Sequence, residues 1–112
     1  MIIQSAPEGQ ESGQRYVMKL AEHLELVEQF AINFGNDSFF RPEPREEFLY
    51  ACRWHDKGWH DLDDNPPLNP ESGLPFNLVE TPLPVILLTS ARSPEHNEAA
   101  HPYSGLIDSA RY

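Results

Sequence analysis

The chain has 112 residues, enough for a single domain (1–112) with a modest core. Eighteen acidic against eight basic residues leave a net charge of −10; such a surface repels nucleic-acid backbone and anionic membrane alike and offers no cationic trough for phosphate. Cys52 is the only cysteine, which excludes an internal disulfide or a cysteine-based zinc site and fits a reducing, cytoplasmic setting.

Met1 to Gln4 has an apolar start and is expected to form one short strand; Ser5 to Gly13 reads as a loop. No basic start followed by an apolar stretch marks a signal peptide. Gln14 to Phe34 predicts the first helix. Its stripe runs Val17, Leu20, Ala21, Leu24, Val27, Ala31 and Phe34 at three- and four-residue steps, and Gly35-Asn36 stops it. His23 lies about 80° from the middle of that stripe, at the border of core and solvent. A ligand can sit there, and so can an ordinary boundary histidine.

Pro44 opens a second helix, with Glu43, Glu46 and Glu47 near its positive end. Phe48, Ala51, Cys52 and His55 step along one face, so His55 points inward and Asp56 shares the side of Cys52. His60 to Glu80 is a long irregular segment with four prolines, either a solvated acidic loop or a lid in which Trp59, Leu74 and Phe76 pack over a pocket. Its acids do not form a calcium loop, because the position eleven after Asp61 is Ser72 rather than Glu. Thr81 to Ala91 predicts a third helix with a buried run from Val85 to Leu88. The longest apolar run, Leu83 to Leu88 with Pro84 inside it, is too short to span a bilayer. Arg92 to Ala100 is polar. Pro102 opens a last helix through Tyr103, Leu106, Ile107 and Ala110, which reads as cut short at Tyr112.

The chemistry concentrates in Trp54-His55-Asp56-Lys57-Gly58-Trp59-His60-Asp61. A His-Asp doublet at a helix end can offer a nitrogen and an oxygen to one divalent cation, and two further ligands must then come from elsewhere. The alternative is a histidine that packs the helix end beside a hydrated aspartate. An inward carboxylate beside an inward imidazole is costly unless paired or metal-bound, which strengthens the ligand reading and leaves both open.

Several segments together resemble one family. They are Glu22-His23-Leu24 with Phe34-Gly35-Asn36, then Phe40 to Glu47, then His55-Asp56-Lys57-Gly58-Trp59, then Asp63, Pro67 and Gly73 to Phe76, and finally Pro102-Tyr103-Ser104-Gly105-Leu106. The family is the uncharacterised bacterial one catalogued as DUF3891. Its layout is similar to the HD superfamily of metal-dependent phosphohydrolases. That similarity implies an all-α, HD-domain-like orthogonal helical bundle, here with a short N-terminal strand and an incomplete C-terminal helix. It also implies metal ligation by His23, His55 and Asp56, with Asp108 as the acid of the last helix. The family pattern continues past Pro-Tyr with a Ser-x-His, whereas here Asp108-Ser109 is followed by Ala110-Arg111-Tyr112.

The implied cofactor is a divalent metal (Mn, Fe, Mg or Zn), which acidifies a water and polarises a phosphoryl oxygen for in-line attack. His60 or Lys57 would then contact substrate or shuttle a proton, and Trp59, Asp63, Phe76 and Tyr103 would wall the pocket. The first expectation is hydrolysis of a small phosphorylated metabolite or nucleotide, with no nucleic-acid or membrane partner. The alternatives are an inactive metal- or ligand-binding regulatory domain, or a truncated remnant of a longer relative.

Overall fold

Strand β1 (Ile2–Ile3) pairs antiparallel with β2 (Val17–Met18), Ile2 facing Met18 and Ile3 facing Val17. The computed structural model that shows this describes residues 1–111; Tyr112, where the last helix was expected to stop, lies outside them. The pairing corrects the expected start of the first helix. The backbone of Gln4 bonds that of Tyr16, so residues 16 to 18 are committed to the hairpin. Helix α1 therefore spans Leu20–Asn33 rather than starting at Gln14. Glu22 Oε2 accepts the Lys19 N–H at 3.0 Å and helps cap it.

At the far end of α1, Phe34 is extended and Gly35 has φ +111. A Cβ on Gly35 would come within 2.3 Å of Arg41 Cγ, so glycine is required there twice over. The Arg45 guanidinium donates to the carbonyls of Ala31 and Ile32 at 3.3 and 2.7 Å. It thereby satisfies the last turn of α1 from the first residue of α2 (Arg45–Trp54).

After α2 come a 3-10 turn (Lys57–Trp59) and the one-turn α3 (His60–Asp64). A loop follows, pinned by a bridge between Leu68 and Pro75. Helix α4 spans Leu83–Ala100 and α5 spans Pro102–Ser109. Two expectations about α4 need correction. The polar stretch Arg92 to Ala100 is helical, with Pro94 inside it. And the run Val85 to Leu88 is not the buried face, for Leu87 and Leu88 are more than half exposed.

The buried face of α4 is the four-residue ladder Thr89, Ser93 and Asn97. Short side chains suit close approach. Gly105 of α5 packs on Glu98, where a Cβ would lie 2.7 Å from the Cα. Gly58 packs on Thr89, where a Cβ would lie 2.1 Å from the carbonyl oxygen. Ser104 and Asp108 complete this polar seam from α5. The fully apolar core is small: Leu20, Leu24, Ala31, Ala51 and Trp59 among the described residues.

The architecture is thus mostly helical with one short two-stranded sheet, as expected for an all-α chain with an N-terminal strand. No described helix is long and apolar enough to cross a membrane. The extents of 46 × 32 × 20 Å describe a slab. Its radius of gyration, 16.2 Å, exceeds the roughly 13 Å of a compact chain this long. A slab has little interior, which is why Phe30, Phe34 and Leu106 stay exposed.

Asp63 is part of this framework. Its carboxylate is buried, with Oδ2 accepting the Ala21 N–H at 2.9 Å and Oδ1 3.9 Å from the Met1 amine. It answers the positive end of α1. Asp63→Ala leaves that N–H unpaired and is expected to cost about 2 kcal/mol in urea unfolding.

Candidate metal centre

His23 reaches the site from the first turns of α1, and His55 and Asp56 from the residues just past α2. One ligand atom from each lies within 4.8 Å of the others. Asp56 Oδ2 is 3.3 Å from His55 Nε2 and 4.0 Å from His23 Nε2. The two imidazoles meet edge to face, with centroids 5.4 Å apart.

The tautomer of His55 follows from its surroundings. Its Nδ1 lies 2.7 Å from the Cys52 carbonyl and must donate to it. That leaves Nε2 facing the carboxylate. Without a proton on Nε2, a lone pair would oppose an anionic oxygen. A proton or a cation resolves the conflict, and a backbone carbonyl behind the ring is the usual second partner of a metal-binding histidine. The donor set of two imidazole nitrogens and one carboxylate suits a divalent transition ion.

Burial alone would lower the His55 pKa, but the Asp56 hydrogen bond, the Cys52 carbonyl and the Asp56 charge raise it above 6.5. Burial works the other way on Asp56, yet His55 and Arg111 hold it below 3.8. His23 is lowered, by burial first and then by the neighbouring His55. The added proton of the metal-free cluster therefore favours His55 Nε2 over His23.

The consequence for stability has a definite sign. The raised His55 contributes fully below 6.5, and its contribution is lost as pH climbs through the folded value. The depressed Asp56 contributes above 3.8, and its contribution is lost as pH falls through the folded value. In chelator, the stability gap between wild type and His55→Gln should be largest between those limits. Urea unfolding at about pH 5 and about pH 8.5 checks this, with the smaller gap at the higher pH.

Asp108 adjoins the cluster, since it and His55 line one cavity, but both its oxygens are engaged. Oδ1 accepts from Arg111 Nε at 2.8 Å and Oδ2 from Asn97 Nδ2 at 2.9 Å. Burial raises its pKa against those partners. Arg111 also lies 3.2 Å from Asp56 Oδ1 and bonds the His55 carbonyl. One guanidinium therefore joins the two carboxylates. Arg111 and Asn97 were not singled out in the sequence. Their signals are positional: Arg111 stands three residues after Asp108, and Asn97 ends the ladder from Thr89.

The other expected residues lie elsewhere. Lys57 Nζ donates to His60 Nδ1 at 3.1 Å, and both contact the Trp54 ring. The helical geometry that would set His60 one turn beyond Asp56 is broken by the 3-10 turn, where Gly58 is pressed against α4. Trp59 and Phe76 do come together, but around a void of only about 10 Å³ beside Met1. Trp59 is core, Asp63 caps α1, and Tyr103 is 44 % exposed. Leu74 borders a separate hollow near the hairpin.

These features define a small helical protein carrying a His-His-Asp cluster where α1 meets the end of α2. The chain belongs to the family described as Protein of unknown function (DUF3891), which it matches over residues 1–112. No curated protein and no solved structure matches it.

Proposed function

We propose that His23, His55 and Asp56 hold a divalent cation for hydrolysis of a small phosphate ester, with Asp108 as a fourth ligand once Arg111 or Asn97 releases it. The supporting observation is the convergence of three ligand atoms from two segments, α1 and the end of α2, within 4.8 Å. An early-helix His, a His-Asp doublet and a late-helix Asp make up the arrangement that the likeness to HD phosphohydrolases implies. A bound cation would supply Lewis acidity. The chain's own part is to present His55 Nε2 by tethering Nδ1, and to keep Asp56 ionised at neutral pH.

A second reading has its own support. Arg111 spans Asp56 and Asp108, and a site so bridged suits a domain that binds metal or ligand and turns nothing over.

Elemental analysis of protein purified with Mn²⁺ tests the centre. Wild type should carry stoichiometric metal and His55→Ala should lose it; equal, trace metal in both would end the proposal. Turnover of a generic phosphate monoester by the loaded wild type separates the hydrolase from the binding domain.

A further inference from the structure

A cavity of about 300 Å³ opens beside the candidate centre, between α1, α2 and α5. Its polar end is formed by His55, Asp108 and Arg111, and the rest is walled by apolar side chains and Cys52. Val27 and Phe48 are shared with an adjoining hollow of about 380 Å³ that runs past Phe30 to Phe34 and Pro42. That second hollow has no charged residue on its walls. A chain with net charge −10 leaves this apolar face uncovered, with His55, Asp108 and Arg111 at one end of it.

We propose that the centre acts on an amphiphile, with an anionic head at His55, Asp108 and Arg111 and an unbranched hydrocarbon tail lying along Val27 and Phe48. The head-group assignment rests on the metal reading; the tail assignment does not. Two arguments favour this occupant. The hollow is continuous with the reactive groups, and its volume falls in the range of small-ligand sites. Moreover, an acidic protein attracts an anionic head poorly, so burial of the tail must supply binding of its own, to which a local cation adds. A tail buried here also lies against Cys52, which lines the same cavity.

Calorimetric titration of the Mn²⁺-loaded protein with butyl, hexyl and octyl phosphate, below their micellar concentrations, reads the tail directly. Each added methylene should tighten binding about two- to fourfold, and Phe48→Ala should flatten that series while metal content stays unchanged. Wild-type Cys52, alkylated by N-ethylmaleimide, gives a readout independent of any variant. Octyl phosphate should slow the alkylation and butyl phosphate should not, with or without Mn²⁺. Loss of the metal alone would defeat the hydrolase reading and leave the tail site standing. Equal affinity across the series, or alkylation indifferent to octyl phosphate, would overturn the inference. So would a dimer in sedimentation whose interface covers Phe48 and shuts the octyl chain out.

Discussion

Gly58→Ala should lower stability by about 4 kcal/mol and the melting temperature by about 15 °C. Gly58 needs no unusual backbone angle; the demand is for space. A Cβ there would meet the Thr89 carbonyl oxygen at 2.1 Å and Arg92 Cβ at 3.0 Å. The nearer obstacle is backbone, so relief requires the 3-10 turn and α4 to part. Parting them breaks the bond from the buried Gly58 N–H to Ser93 Oγ, now 2.9 Å. Overpacking costs about 1–3 kcal/mol and the stranded polar pair a similar amount. Ser93→Ala removes only the acceptor and should cost about 1–2 kcal/mol. Thermal unfolding of the two variants separates the terms, and equal losses would mean that crowding at Gly58 is immaterial. The turn also carries the chain away from Asp56, so Gly58→Ala should weaken metal binding as well.

Arg111→Ala should raise divalent-metal affinity about tenfold while lowering metal-free stability by about 1–2 kcal/mol. The two effects have one origin. The guanidinium is a fixed positive charge 3.2 Å from Asp56 Oδ1, beside the site a dication would take. At a separation on the order of 5 Å with water-like screening, a dication and a monocation repel by about 1.7 kcal/mol. Arg111 is about a third exposed, so the weaker, screened figure is the appropriate one. The same group holds Asp108 and the His55 carbonyl, and those bonds vanish with it. Arg111→Lys discriminates, because it keeps the charge but not the planar fork. It should lose stability without gaining affinity. Metal titration followed by calorimetry reads both quantities, and an unchanged affinity in Arg111→Ala would show that the guanidinium and the cation do not compete.

The helices were legible where burial follows periodicity. The stripe through Leu20, Leu24 and Ala31 gave α1, and the steps from Phe48 to His55 gave α2. The start of α1 was not legible, because Val17 fits a helical stripe as well as a strand; only the partner, Ile3, decides. Helix α4 was misread for a different reason. Its buried face is polar and its apolar side chains, Leu87 and Leu88, face outward, so hydropathy points the wrong way. The meeting of His23 with His55 and Asp56 was anticipated from the doublet and the family likeness. The family likeness also set Asp108 beside the doublet, but the Arg111 bridge between Asp108 and Asp56 was hidden, since neither the doublet nor the likeness marks residue 111.

The seam between α4 and α5 has a thermal consequence. Hydrating apolar groups raises the heat capacity of an unfolding chain, and hydrating polar groups lowers it. Here Thr89, Ser93, Asn97, Ser104 and Asp108 are among the most deeply enclosed side chains, and the greasy interior is small. Melting therefore changes the heat capacity by less than is usual for a chain of this length. The curve of free energy against temperature is correspondingly broad and shallow, and chilling the protein weakens it little.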